Sequence, residues 1–206
     1  LELDNSPEAY SPPDSRAVQF NRTLRKQFPE DQVLVLLFRG SGLFEADFLE
    51  RLDAAAQAIQ ALPLVERVLA PTRFDHIAGT EDGFAVENLI DPTDLQQGTP
   101  AQRRARALSD RFASGLLVSE QGDALALIVR PVRLETSLQR ARLYEAAQTI
   151  IDEKGLRPWL AATAGQVALD VAELHSMVRD TLVFVPATMV LGLSLIHISE
   201  PTRLRR

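Results

Sequence analysis

The chain has 206 residues, 46% hydrophobic, 24% charged and 6% aromatic, an ordinary globular composition that excludes a disordered, collagen-like or wholly membrane-embedded protein. Its formal net charge is −6 with no long basic stripe to offset it, so a nucleic-acid phosphate backbone is a poor partner. There is no cysteine, which removes disulfide frameworks, thiolate metal sites and cysteine nucleophiles together.

Residues 1–14 carry Pro7, Pro12 and Pro13 among polar groups and predict an extended connector. A helix then starts at a cap on Asp14 or Ser15, has Val18, Phe20, Leu24 and Phe28 as apolar positions, and ends at Pro29. Val33 to Phe38 is a continuous apolar run short enough for a buried strand, broken by Gly40-Ser41-Gly42. Phe44, Phe48, Leu49, Leu52, Ala56, Ile59 and Leu62 recur at helical spacing up to Pro63, and Val65 to Ala70 reads as a second strand, completing a βαβ unit.

From Pro71 to Gly98 periodicity is lost under glycine, proline and acids, which predicts an inserted irregular loop. Thr99-Pro100 opens a short helix over Ala101 to Phe112, with Arg103, Arg104, Arg106 and Arg111 mostly facing outward. Gly115 to Ser119 and Asp123 to Val132 predict two strands joined by Glu120-Gln121-Gly122. A helix over Ser137 to Lys154 ends on Gly155, and Trp159 to Ala164 is a last strand. The fold class expected is α+β: a ferredoxin-like split βαβ sandwich with an inserted loop and helix region, followed by the start of a transmembrane helix.

Gln166 to Val178 is helical by spacing and runs into a segment with no Asp, Glu, Lys or Arg from Thr181 to Ser199, close to the roughly 20 residues that cross a hydrocarbon core. The stretch from Leu193 to Arg203, however, resembles the in-frame translation of a transposase-based sequencing-library adapter, with Leu204-Arg205-Arg206 as index bases. On that reading residues 193–206 are not native, and removing them leaves the remainder two charges more acidic. The native apolar run is then Thr181 to Gly192, too short to span unless the gene continues it. The opening Leu1-Glu2-Leu3-Asp4 has neither an initiator Met nor a signal-peptide pattern, so a fragment of a longer protein is expected.

Candidate chemistry is sparse. Gly40-Ser41-Gly42 sits between a strand and a helix, where a phosphate could meet backbone N–H groups, but Glu45 stands where a dinucleotide fingerprint needs its third glycine. Asp75-His76 and Glu173-x-His175 each offer two ligands where zinc needs three or four. Glu81, Asp82, Asp91 and Asp94 are loop acids able to meet a cation or an amine, and Asn21-Arg22-Thr23 is a glycosylation sequon inside a helix. The Arg103 to Arg111 cluster could touch anionic headgroups. No Gly-x-Ser-x-Gly elbow is present. Each motif is better explained as solvated or structural, so no catalytic, cofactor or metal residue is assigned, and no enzyme is expected.

The opening run from Leu1 to Ser15 resembles the segment after the first membrane helix of resistance-nodulation-division (RND) transporters. Phe28 to Gly40 and Leu62-Pro63-Leu64-Val65-Glu66-Arg67-Val68 are similar to the first extracytoplasmic porter domain of the lipid-exporter, MMPL-like branch of that superfamily, and Thr163 to Gly192 to its exit into the second membrane helix. The resemblance implies a connector and helix over 1–30 after a missing first membrane helix, a porter-type domain over 31–165 with an insertion about 71–114, and a helix over 166–192 leading into a truncated second membrane helix. It also implies a proton-driven exporter of the bacterial inner membrane with this domain on the periplasmic side, passing lipid or other hydrophobic or amphiphilic substrate. Partners would be the rest of the permease, with a homo-oligomer or an accessory periplasmic protein. No proton-relay residue of the family falls within this chain. The alternative is a free-standing ferredoxin-like ligand-binding or regulatory module.

Overall fold

The computed structural model describes residues 32–80 and 83–199, with Pro12, Ser15, Arg16, Gln19 and Phe20 from the segment before them. The helix expected over 15–28 therefore lies largely outside the described residues. Within it, Arg16, Gln19 and Phe20 are helical, and Gln19 N donates to Ser15 O at 3.1 Å. The Asn21-Arg22-Thr23 sequon and Glu81 and Asp82 also fall outside.

The body is a mixed α/β fold built on one antiparallel sheet. Strand β1 (Leu34–Arg39) leads to helix α1 (Ala46–Gln60) and strand β2 (Val65–Leu69). A 3-10 turn, Pro71–Arg73, precedes a hairpin of β3 (Asp75–Thr80) and β4 (Gly83–Asn88), and α2 (Pro100–Ser109) follows. Then come β5 (Ala124–Pro131), α3 (Ser137–Glu153), a 3-10 turn Arg157–Trp159, β6 (Leu160–Ala164) and the long α4 (Gln166–Ser199). The main sheet has the order β2-β5-β1-β6, with β5 antiparallel to both β1 and β2, and β6 antiparallel to β1. Each flanking strand is thus reached from a central one by a helical crossover, and α1 and α3 touch over one face of the sheet.

Alternation explains which face is which. Leu34, Leu36 and Phe38 of β1 are buried under the helices, while Val35 and Leu37 between them are half-buried on the other face. Helix α1 buries Phe48, Leu49, Leu52, Ala55, Ala56 and Ile59, the stripe that its spacing predicts, against Leu125, Leu127 and Val129 of β5 in the same core. Helices α2 and α3 both open with a capping box, Thr99 with Gln102 and Thr136 with Gln139, in which side chain and backbone satisfy each other's orphan N–H groups.

Three expectations change. The stretch over 71–98 is not irregular: it holds the β3–β4 hairpin, paired from Asp75↔Asn88 to Thr80↔Gly83. The segment Gly115 to Ser119 is not a ladder strand, since it makes only the isolated bridges Ser114↔Val118 and Val118↔Leu125. A coil forms there because the Asp110 carboxylate holds the Phe112 and Ala113 N–H groups at 2.8 Å, curling the chain before it can extend. For the same reason α2 stops at Ser109 instead of Phe112.

Candidate functional site

The most distinctive local chemistry lies where β6 passes into α4. Gly165, with φ +94°, makes the corner and lies so close to β1 that the carbonyl of Val33 occupies the space a side chain would need. Val167 N donates to that carbonyl at 3.3 Å, starting the helix on the edge of the sheet. Val167 and Val171 are buried, and Asp170 meets Arg140 of α3 at 3.1 Å with both side chains largely covered. Arg140 also donates to the Leu134 carbonyl at 3.1 Å, so the pair ties α4, α3 and the connection that follows β5 together.

Beyond that root, α4 leaves the body. Every residue from His175 to Leu195 is exposed, including Leu182, Val183, Phe184, Val185, Met189, Val190 and Leu191. Gln166–Leu195 is the one candidate among the described residues long and apolar enough to cross a membrane, and its most apolar window has no buried residue. Arg179 and Asp180 are the last charges before the apolar run. From Thr181 to Ser199 a straight helix rises about 28 Å at 1.5 Å per residue, close to a hydrocarbon core of about 30 Å. The helix continues without a break to Ser199, past the start of the segment that resembles adapter translation, and it contains Pro186.

Gly40 and Gly42 border a cleft of about 240 Å³ whose other walls include Phe44, Glu45, Pro100, Ala101 and Arg104. This is below the roughly 300–1,000 Å³ of small-molecule pockets. The Trp159 indole donates from Nε1 to Ser41 O at 3.0 Å, and its Cδ1 would lie 3.2 Å from a Cβ at Gly40, so that glycine serves close packing.

The histidines separate. His175 and Glu173 are exposed on α4, whereas His76 Nδ1 lies 2.5 Å from Asp110 Oδ2. Among the described residues no three His, Asp or Glu side chains gather to hold a metal ion. Asp91 is engaged locally, accepting from Thr93 N at 2.8 Å and Thr93 Oγ1 at 2.7 Å, and those bonds hold its carboxyl below the usual range. Asp94 is exposed.

The arginines of α2 face mostly outward, as expected, with Arg104 and Arg106 exposed and Arg103 half-buried, yet all three are engaged. Arg103 donates to the carbonyls of Phe44 and Leu95, both at 2.9 Å, Arg104 to those of Gln121 and Gly122, and Arg106 pairs with Glu87 at 2.9 Å. They fasten the insertion to the body, because loop carbonyls that face no ladder need donors. Arg111 is exposed, as expected of it.

Asp110, missed in the sequence, is the one buried acid of the described residues. Burial pushes its carboxyl up, but the bonds from His76 and from the N–H groups of Ala113 and Phe112 outweigh this and hold it below its ordinary value. A depressed carboxylate contributes stability that is fully present above the unfolded pKa, about 3.9, and is lost as pH falls through the lower folded value. Asp110→Ala, which strands two N–H groups, is expected to lower stability at neutral pH by about 1–3 kcal/mol. Urea unfolding of both proteins at neutral pH and near pH 3 should show that difference narrowing in acid; a constant difference would contradict it.

No protein-family model and no curated protein matches this sequence.

Proposed function

We propose that the chain is a piece of an RND-type, proton-driven membrane exporter of the MMPL-like branch, comprising a periplasmic porter domain and the start of the membrane helix that follows it. The observation that carries the reading is α4: a helix wedged into the sheet at Gly165 and Val33, which continues unbroken into an apolar length that no described residue covers. A soluble domain does not ordinarily leave so many contiguous apolar side chains in water. The sandwich itself we assign to the ferredoxin-like split βαβ class, supported by the order β2-β5-β1-β6 and the crossovers α1 and α3. Such a body moves as a unit, which is what a porter domain contributes to passage of a lipid or amphiphile. In this reading the apolar run enters the inner membrane and the sandwich faces the periplasm. A free-standing binding module of the same fold accounts for the sandwich but leaves the bare helix without a purpose.

Two measurements test this. Sequencing the source locus upstream of Leu1 and across the Gly192 to Leu193 junction should reveal further membrane helices on both sides; a stop codon directly after Arg206 removes the exporter. On the protein itself, the chain should remain with the membrane fraction after alkaline extraction, and Val185→Arg with Val190→Arg should release most of it, since each central arginine costs about 2.5–3.5 kcal/mol in a bilayer. Equal release of both forms would mean that α4 does not insert.

A further inference from the structure

We propose that His76 and Asp110 form a pH-dependent latch that clamps the β3–β4 arm to the end of α2, tightening in mild acid and loosening as histidine loses its charge. The inference is independent of the transport reading, because it concerns only the insertion.

The arm is a two-stranded sheet of its own, separate from the main sheet. Its base is fixed: Leu89 N donates to Phe74 O at 2.8 Å, Ile90 N to Pro71 O at 3.2 Å, and Leu89 and Ile90 are buried in the core. Further out, the side-chain bonds described between arm and body are His76 to Asp110 at 2.5 Å and Arg106 to Glu87 at 2.9 Å, with Arg106 also donating to Asn88 O at 3.3 Å. A polar clamp on a thin arm is the kind of contact that opens locally while the core stays closed.

The charges around His76 decide how that clamp responds. From β4, Glu87 is its register partner across the hairpin; from α2 comes Arg106, paired with Glu87, and from the segment after α2 comes Asp110, followed in the chain by the exposed Arg111. On its own strand Asp75 is exposed, and Arg73 before it is engaged by Asp53 at 2.9 Å. The three groups bonded at the clamp, Asp110, Glu87 and Arg106, sum to one negative charge, which a protonated His76 cancels. Histidine is the side-chain type whose charge responds to pH near neutrality. Asp110 cannot turn away, since its second oxygen accepts from Phe112 and Ala113 N–H. The pair is also shielded, with side chains 23% and 6% exposed, so its attraction is less screened than that of an exposed pair. A neutral His76 can still donate from Nδ1, and the latch therefore weakens without vanishing.

The absence of native cysteine makes a site-specific spin label straightforward. Val86→Cys on β4, an exposed position, reports the arm, and Glu153→Cys at the end of α3 reports the body. In the full chain held in detergent, the mobile fraction at the arm should rise roughly two- to fivefold between about pH 5.5 and about pH 8, the effect of a partly shielded ion pair. The Glu153 label should not change. His76→Gln should flatten the pH response, and Asp110→Asn should leave the arm mobile at both values. An equal pH response in His76→Gln, no response in the otherwise unsubstituted chain, or a matching change at the Glu153 label would each overturn the latch.

Discussion

Gly165→Ala is expected to destabilise the sandwich by at least about 1–3 kcal/mol, the cost of left-handed backbone strain alone, with a steric collision added to it. A Cβ at that position would stand 2.3 Å from Val33 O and 3.0 Å from Val33 C. Both are main-chain atoms of the segment entering β1, so neither can swing aside as the end of a flexible side chain would. Relief requires the corner to open, and opening it lengthens the bond from Val167 N to Val33 O that begins α4. The loss therefore falls on the joint between the sheet and the exit helix as well as on overall stability. Gly192→Ala is the matched control, because nothing lies within 4 Å of its added Cβ, and there the helix preference for alanine favours the variant by up to about 1 kcal/mol. Urea unfolding in detergent measures both. An unchanged midpoint for Gly165→Ala would show that the corner yields freely.

Phe48→Ala should cost about 3–5 kcal/mol, a large part of the 5–15 kcal/mol by which domains of this kind are held. Phe48 is 1% exposed and stands between two rings, its centroid 5.9 Å from that of Phe38 at 73° and 5.4 Å from that of Trp159 at 66°. Edge-to-face pairs add about 0.5–1.5 kcal/mol each beyond burial. Truncation removes both and leaves a cavity between α1, β1 and the turn before β6, where interior packing has little freedom to collapse. Trp159 is the only tryptophan of the chain, and its indole holds the Ser41 carbonyl, so its fluorescence reports this site directly. Phe48→Leu, which refills most of the volume, should lose much less. A loss below about 1 kcal/mol for the alanine variant would mean that the three rings do not form a packed unit.

The candidate features were unevenly legible. The α4 exit was readable because absence of charge over a membrane-sized length is a one-dimensional property. Its root was not: Asp170 and Arg140 lie on different helices, and only the α3–α4 contact makes them a pair. Likewise Asp75-His76 drew attention as a possible metal dyad, yet the partner that matters is Asp110, 34 residues along the chain. The β3–β4 hairpin has no clean turn signal in the sequence. The register pairs Thr80 with Gly83, so Asp82-Gly83 does not occupy the two central turn positions at which Asp-Gly marks a hairpin, and the surrounding acids and glycines hide the alternation.

What the sequence determined by itself is periodicity. The stripe of α1, the apolar run of β1, the helical span of α3, the short last strand and the bare length of α4 follow from spacing and composition, since local geometry repeats every 3.6 or 2 residues whatever lies nearby. The tertiary structure decided what is satisfied by contact at a distance. It gave Arg103 and the still exposed Arg104 loop carbonyls to clasp, kept Gly115 to Ser119 to isolated bridges instead of a ladder strand beside the turn held by the Asp110 carboxylate, and left Gly165 no room for a side chain. Those outcomes depend on which backbone groups lack a ladder partner and which atoms press together, and neither exists until the chain has folded.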